Sequence, residues 1–340
     1  MGSLRASYCH HRGSVYRLTL RAHPTSLRAV MNRLTIVVIL VTLLGIGSLG
    51  APDAHGVKPA ARDKAPSFPP RDSVTLLVLG DTGEPGPPME AIRRAVSKEK
   101  KDAIVVLGDL IYPVAPRCPD GTLHRDAKRI LDERTGGLLR GLGAPVLLVL
   151  GNHDIGGYGR DPEREACLIT YAAGEPDLIL PDVSYEVDFG VLKLNILNTN
   201  ALDIMQGRDV HASWRDAKSW RVLAGHHVYR TYYDKPREDL VAPWLKTNGI
   251  KPDLYMNGHA HILQFGVYDG IPALTSGATA KTRERPACPP ECGPGQRFGV
   301  SEPGYALVHF DRERVRVEFK NVNRKVLFTW SKRRDGTERR

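Results

Sequence analysis

Five short apolar segments recur along the chain, and each leads through a Gly into polar residues. They are VTLLVLGD ending at Asp81, AIVVLGD ending at Asp109, PVLLVLGNHD ending at Asp154, RVLAGHH ending at His227 and DLYMNGHAH ending at His261. Apolar runs of this length, rich in β-branched residues and bounded by a turn signal, predict buried strands. The Gly in each segment lets the chain turn sharply where the strand ends.

Helical patterns separate the first three of these strands. Residues 89–100 place Met89, Ile92, Ala95 and Val96 on one helical face, and residues 125–139 show a similar but less regular pattern. Alternation of strand and helix predicts an α/β fold with parallel neighbouring strands. Ligands of such sheets bind beyond the carboxyl ends of the strands. We therefore expect the five polar clusters to converge on one edge.

The side chains that would converge there are oxygen and nitrogen donors suited to metal ions. The candidates are Asp81, Asp109, Tyr112, Asn152, His226, His259 and His261. Carboxylate and imidazole without thiolate favour Mn, Fe or Zn. Seven donors exceed the four of a typical zinc site but fit two metals that share a bridging carboxylate, an arrangement suited to displacement at phosphorus. His259 and His261 are two residues apart, so in extended chain both would point to the same side.

The net charge of +10 is located at the two ends of the chain. Residues 1–70 carry nine Lys/Arg against two Asp/Glu, and residues 332–340 carry five against two, which together account for the whole excess. The body between them is neutral, which argues against a nucleic-acid groove in the folded part.

The amino-terminal region has the features of a targeting segment. Residues 34–50 contain no charged residue, follow the short basic stretch Met31–Arg33, and end in small residues before Ala51. This pattern predicts a secretory signal peptide whose true start could be Met31, and hence a secreted or periplasmic protein. The alternative is an uncleaved membrane anchor, for which a 17-residue run is at the short limit.

These features predict four regions: a leader over 1–50, an Ala- and Pro-rich linker over 51–71, a folded domain over 72–330, and a basic tail over 331–340. Cys118, Cys167, Cys288 and Cys292 are an even number, which in an exported protein permits disulfides. Within CPPEC, a local disulfide is favoured over a metal site, because two cysteines alone do not complete a tetrahedral zinc site. The pairing itself stays open.

Taken together, the motifs resemble those of the calcineurin-like metallophosphoesterase superfamily over roughly residues 72–330. Within it, the chain resembles the purple acid phosphatases, most closely the small tartrate-resistant type. Two features indicate that subgroup: Asp81 is followed by Thr82-Gly83 where most of the superfamily has Asp-x-His, and Tyr112 follows Asp109 three positions later. The resemblance implies a four-layer α-β-β-α sandwich with two mixed β-sheets flanked by helices.

The resemblance also implies site roles. One metal, Fe(III), would be held by Asp81, Asp109, Tyr112 and His261. The other, divalent Fe, Zn or Mn, would be held by Asn152, His226 and His259, with Asp109 bridging. His153 would contact the phosphate or the leaving oxygen, and Asp154 would orient a neighbouring imidazole.

The implied activity is hydrolysis of phosphate monoesters at acid pH by attack of a metal-bound hydroxide on phosphorus. The alternative is a phosphodiesterase or nucleotidase that uses two divalent metals. A third possibility is a catalytically idle binding protein, which would be expected to have lost ligands. The sequence predicts a phosphate ester as partner, a membrane only if the leader is uncleaved, and no particular oligomeric state.

Overall fold

Two β-sheets packed against each other form the centre of the protein. The computed structural model describes residues 68–202, 210, 214, 218–230 and 240–339. The predicted leader and residues 51–67 of the predicted linker lie outside the described residues. In chain order the strands are β1 Ser73–Leu79, β2 Ala103–Leu107, β3 Val146–Val149, β4 Leu178–Ile179, β5 Tyr185–Asp188, β6 Leu192–Ile196, β7 Trp220–Ala224, β8 Leu254–Asn257, β9 Leu263–Tyr268, β10 Ile271–Ser276, β11 Gln296–Val300, β12 Gly304–Asp311, β13 Arg314–Asn321, β14 Val326–Arg333 and β15 Glu338–Arg339.

Both sheets are mixed. The first has the order β15-β14-β13-β12-β1-β2-β3-β4, and the second has the order β11-β9-β10-β8-β7-β6-β5. In the first sheet β1 to β4 run parallel and β12 pairs antiparallel with β1. In the second sheet β6, β7, β8 and β10 run parallel, while β5, β9 and β11 pair antiparallel with their neighbours.

All five predicted strands are present, but they divide between the two sheets. Strands β1, β2 and β3 belong to the first sheet, and β7 and β8 belong to the second. The five polar clusters therefore follow strands of two sheets rather than neighbouring strands of one. The clusters meet where the carboxyl ends of parallel strands from both sheets come together.

Helices flank the sheets. They are α1 Pro87–Val96, α2 Arg125–Leu131, α3 Gly137–Leu139, α4 Asn152–Ile155, α5 Pro162–Ala173 and α6 Val241–Thr247, with a π-helical turn over Asp132–Gly136 and 3-10 turns over Pro119–Gly121 and Thr199–Ala201. The helix predicted over 89–100 ends at Val96, where the Lys101 ammonium donates to the carbonyl oxygen of Val96. A cation at the last turn satisfies carbonyl groups that lack an intrahelical partner.

Alternate side chains of each strand enter different cores, as the pleat of a strand requires. Between the sheets, Leu76 and Val105 pack with Val222 and Met256. On the outer face of the first sheet, neighbouring strand residues pack with the predicted apolar face of α1, namely Met89, Ile92, Ala95 and Val96. On the outer face of the second sheet, residues of α6 pack with strand residues, among them Val241 and Leu223. The predicted α-β-β-α arrangement is confirmed.

Contacts with the domain continue beyond both of its predicted boundaries, residues 72 and 330. Strand β14 runs to Arg333 and pairs antiparallel with β15, so residues 331–333 and 338–339 continue the first sheet beyond the boundary predicted at Trp330. At the other end, Phe68 packs on Phe189 with ring centroids 4.5 Å apart.

Among the described residues, no helix is both long and apolar enough to cross a membrane.

Two disulfides are formed among the described residues. Cys288 pairs with Cys292, which confirms the local bridge in CPPEC, and Cys118 pairs with Cys167. The second bridge joins the loop that follows Tyr112 to helix α5. It therefore anchors a segment that carries candidate ligands.

Candidate metal centre

The structure brings the seven candidate ligands together as two contacting groups. In the first group, the phenol oxygen of Tyr112 lies 3.2 Å from Oδ1 of Asp81, 2.9 Å from Oδ2 of Asp109 and 3.3 Å from Nε2 of His261. Nε2 of His261 is 3.2 Å from Oδ1 of Asp81. One donor atom each of Asp81, Asp109 and His261 lies within 4.8 Å of the others, close enough to hold one ion.

The second group surrounds the side-chain oxygen of Asn152. Oδ1 of Asn152 is 3.0 Å from Nε2 of His226 and 3.0 Å from Nδ1 of His259. The two imidazole nitrogens are 3.1 Å apart. Three donor atoms thus converge on one point from three different strand ends.

Asp109 connects the two groups. Its Oδ2 faces Tyr112 at 2.9 Å, while its Oδ1 lies 3.4 Å from Nε2 of His226. The same Oδ1 accepts a hydrogen bond from the backbone N–H of His153 at 3.0 Å. One carboxylate therefore presents an oxygen to each group, as a ligand that bridges two metals must.

The hydrogen-bond chemistry of the second group fits a cation. Nδ1 of His226 is 2.8 Å from the carbonyl oxygen of Leu107, so it must carry the proton and donate it. Nε2 then presents a lone pair to Oδ1 of Asn152, which is also an acceptor. His226 is fully buried, and burial lowers the pKa of its imidazole against the opposing charges of Asp109 and Asp81. The buried Nε2 of His226 and the half-buried Oδ1 of Asn152 are two acceptors 3.0 Å apart, which are best satisfied by a positive ion between them.

The first group also fits a cation. Burial raises the pKa of Asp81, but the hydrogen bond and charge of His261, with the charges of His226 and His259, outweigh it and leave the pKa lowered. Burial and the charges of Asp81 and Asp109 raise the pKa of Tyr112 far above that of a free phenol. A phenolate could form here only when a bound metal ion supplies positive charge, because that charge favours the deprotonated phenol and so lowers its pKa.

Four of the candidate ligands adopt a backbone conformation that side chains usually avoid. The φ angles are 57° at Asp81, 52° at Asp109, 68° at His259 and 55° at His261. Left-handed residues other than Gly are uncommon and cluster at functional sites. The expectation that His259 and His261 lie in extended chain is therefore wrong. They reach the centre from a turn, and the backbone N–H of His259 donates to Oδ2 of Asp81 at 2.8 Å.

Gly83 and Tyr112 form one structural unit. The N–H of Gly83 donates to the carbonyl of Asp109, and the N–H of Tyr112 donates to the carbonyl of Gly83. A Cβ at Gly83 would approach the backbone N and Cα of Ile111 to less than 3.0 Å, closer than real Cβ atoms come. The loop that carries Tyr112 thus occupies the space that a His at position 83 would need.

We predict that Gly83→Ala destabilises the protein. The added methyl would displace the Ile111 backbone, and overpacking typically costs about 1–3 kcal/mol. Urea unfolding measures the change. Gly174→Ala is the matched control, since a Cβ there meets its nearest atom at 3.5 Å, an ordinary contact. Equal unfolding free energies for the two variants would contradict the packing argument.

His153 lies beside the first group. Its ring centroid is 4.5 Å from that of Tyr112, and the side chain is only half-buried. Nδ1 is 2.6 Å from the carbonyl oxygen of Pro113 and therefore donates to it. This bond leaves Nε2 as the ring nitrogen that can exchange a proton with a bound molecule.

Asp154 makes contacts other than those predicted. Its carboxylate is fully buried and accepts hydrogen bonds from the backbone N–H of Leu110 at 2.8 Å and of Gly151 at 2.7 Å, rather than from an imidazole. Burial, together with the charge of Asp109, raises its pKa well above the usual range against these amide bonds. Asp154 joins the loop that carries Asp109 to the loop that carries Asn152.

Two further residues near the centre, Thr199 and Lys281, are not among the site residues predicted from the sequence. The hydroxyl of Thr199 accepts from the backbone N–H groups of His226 and His227, both at 3.1 Å. Nζ of Lys281 lies 3.4 Å from the ring centroid of Tyr112. Both residues follow carboxyl ends of parallel strands, β6 and β10, so the strand-end argument would place their loops near the centre, although it would not predict the contact of Lys281 with Tyr112. His227 is fully buried beside His226 and His259.

Comparison with known proteins agrees with this geometry. Residues 74–263, more than half of the chain, match the family model for the calcineurin-like phosphoesterases. The matched range contains all seven candidate ligands.

Among characterised relatives, the chain is similar to plant purple acid phosphatases. It is 31% identical to purple acid phosphatase 17 of Arabidopsis thaliana over 131 residues, which are 36% of this chain and 38% of that protein. It is 26% identical to purple acid phosphatase 4 of the same plant over 300 residues, with 77% of this chain and 84% of that protein covered.

Solved structures share the fold. The purple acid phosphatase PPD1 from yellow lupin (Lupinus luteus) aligns with a TM-score of 0.56 at 14% identity, over 78% of this chain and 55% of that chain. GAP50, the anchor in the inner membrane complex of Plasmodium, aligns with a TM-score of 0.56 at 16% identity, over 76% of this chain and 88% of that chain. Identities this low bear on the fold alone. The family match and the two-sheet architecture together show that the chain belongs to the calcineurin-like phosphoesterase family and is a hydrolase of that family.

Proposed function

We propose that this protein is an exported acid phosphatase that hydrolyses phosphate monoesters at a centre of Fe(III) and a divalent ion of Fe, Zn or Mn. The observation that carries the proposal is the position of the Tyr112 phenol oxygen between the carboxylates of Asp81 and Asp109. Phenolate and carboxylate are hard anionic donors, which favour a trivalent ion, whereas neutral Asn and His suit a divalent one.

The contacts support a division of the ligands. The ferric ion would be held by Asp81, Asp109, Tyr112 and His261, and the divalent ion by Asn152, His226, His259 and the second oxygen of Asp109. When bound, the two cations would supply the Lewis acidity that neutralises phosphate charge and promotes deprotonation of water. Because a ferric ion is the stronger Lewis acid, the optimum is expected at acid pH.

The remaining roles belong to side chains beside the ligands. As the imidazolium, His153 would give the proton on Nε2 to the leaving oxygen and become neutral, because the Nδ1 proton is already donated to the carbonyl oxygen of Pro113. Asp154 would act as a positioning residue that holds the backbone of Leu110 and Gly151.

Two alternatives are distinguishable. A phosphodiesterase or nucleotidase with two divalent ions would have no need of the phenol of Tyr112. A catalytically idle scaffold on this fold would have no need to keep seven candidate ligands in contact. Export is supported by the charge-free segment over 34–50 and by two disulfides, since disulfides persist mainly in oxidising compartments.

An activity comparison tests the proposal. The protein is secreted from an expression host, sequenced at its amino terminus and loaded with iron and zinc. It is then assayed on p-nitrophenyl phosphate and bis(p-nitrophenyl) phosphate from pH 4 to 8. We expect a start at Ala51 and at least about tenfold higher kcat/KM for the monoester below pH 6, because the ferric ion acts at low pH. Preference for the diester, or activity only above pH 7 with Mn, would favour the alternative enzyme.

A further inference from the structure

Lys281 places a positive charge at the edge of the metal centre. It follows β10, which runs parallel to β8, so both strands end on the same side of the second sheet. Nζ of Lys281 is 3.4 Å from the ring centroid of Tyr112 and 2.9 Å from Oε2 of Glu84. The side chain is 34% exposed, which leaves the ammonium at the boundary between the buried centre and solvent.

Neither contact of Lys281 saturates its ammonium. An ammonium has three hydrogens to donate. The carboxylate of Glu84 accepts one of them, and the Tyr112 contact is to a ring face rather than to an oxygen. Glu84 is half exposed, so water screens the ion pair and holds its strength low.

Glu84 also has other positive neighbours. The hydrogen bond from Lys281 lowers the pKa of Glu84 against its partial burial, and the charges of Lys281 and Arg134 lower it further. The charge of Arg134 would therefore still favour the ionised carboxylate of Glu84 if Lys281 turned to a new partner.

We propose that Lys281 binds the phosphoryl oxygens of the substrate and favours phosphate monoesters over diesters. The inference rests on the proposed phosphatase function. A compact ammonium is a strong point-charge partner for phosphate. A monoester carries close to two negative charges at pH 7 and about 1.5 near pH 6, whereas a diester carries one at either pH. A fixed cation at the centre therefore stabilises the bound monoester more than the diester, and does so most strongly toward pH 7. Glu84 holds the ammonium over Tyr112 until phosphate competes for it.

Direct binding of inorganic phosphate tests the role of Lys281. Isothermal titration at pH 7 compares the metal-loaded wild type with Lys281→Gln, Lys281→Arg and Glu84→Gln. We expect Lys281→Gln to weaken phosphate binding about tenfold, because a charge-assisted hydrogen bond is lost. Lys281→Arg should retain most of the affinity. Glu84→Gln should tighten binding about twofold, because the competing carboxylate is removed.

Steady-state kinetics supply a second readout. Lys281→Gln should raise KM for p-nitrophenyl phosphate about tenfold with kcat changed less than about threefold, and should raise KM for the diester less. Lys128→Gln is the matched control, since Lys128 also pairs with a carboxylate, Asp132 at 2.7 Å, and lies over a ring, Tyr171 at 5.9 Å, but contacts no candidate ligand.

The opposite signs expected for Lys281→Gln and Glu84→Gln separate binding from a purely structural ion pair. Equal weakening by both variants, or unchanged phosphate affinity in Lys281→Gln, would overturn the inference. If the metal-loaded wild type hydrolyses no monoester, the proposed function itself fails. If the wild type is active and Lys281→Gln matches it in phosphate affinity and KM, only the role of Lys281 fails.

Discussion

Replacing His226 by Ala is expected to lower kcat/KM for a phosphate monoester by about 10²–10⁴-fold. The imidazole Nε2 lies 3.0 Å from Oδ1 of Asn152 and 3.4 Å from Oδ1 of Asp109, so its loss removes the donor that faces both. A catalytic metal contributes several kcal/mol of transition-state stabilisation, and each 1.36 kcal/mol corresponds to tenfold in rate. The metal content of the variant, measured by elemental analysis, should fall from two ions per chain toward one.

Because His226 is fully buried, its removal could also weaken the fold. Asn152→Ala provides a second variant in the same group with a half-buried side chain, and it should show a similar loss of activity with little change in thermal unfolding. His309→Ala is the control, since His309 is exposed and contacts Thr75 away from the centre. Full activity with two bound metals in Asn152→Ala would show that the second group is not a metal site.

Replacing Tyr112 by Phe is expected to abolish the visible colour of the iron-loaded protein. A tyrosinate bound to Fe(III) should make the wild type purple or pink, and Phe keeps the ring without the oxygen. The structure places that oxygen 2.9 Å from Oδ2 of Asp109 and 3.3 Å from Nε2 of His261. Absorption spectra of the two proteins, matched for iron content, measure the change.

Tyr305→Phe is the matched control for this substitution. The Tyr305 hydroxyl also donates to a buried carboxylate, that of Glu99 at 2.8 Å, but on the outer face of the first sheet. Its removal should leave the colour unchanged. A wild type that binds iron and stays colourless would contradict the ferric assignment, and would direct attention to the enzyme with two divalent ions.

The two substitutions test different parts of the proposal. The colour of Tyr112→Phe tests whether the first group holds Fe(III). The metal content and activity of His226→Ala test whether the second group holds a metal. If His226→Ala loses activity but the iron-loaded wild type has no colour, the result would support a phosphoesterase of the same family with another metal pair. A coloured wild type that loses its colour in Tyr112→Phe and its activity in His226→Ala would support the ferric–divalent centre.

Some corrections came from contacts that no local pattern reveals. The family resemblance implies that Asp154 orients a neighbouring imidazole. In the structure its carboxylate instead accepts from the amides of Leu110 and Gly151, because the loops after β2 and β3 lie side by side. The predicted tail likewise became part of a sheet, since β14 and β15 pair with each other.

The sequence by itself determined the five strands and the seven candidate ligands. Strand periodicity, turn-forming Gly and donor chemistry are local properties, so they can be read from neighbouring residues. Tertiary structure alone decided how the strands divide between two sheets, that His259 and His261 approach from left-handed turns, and that Lys281 lies over Tyr112. Those features depend on packing between segments far apart in the chain, where close approach of backbones selects conformations that local preference alone would disfavour.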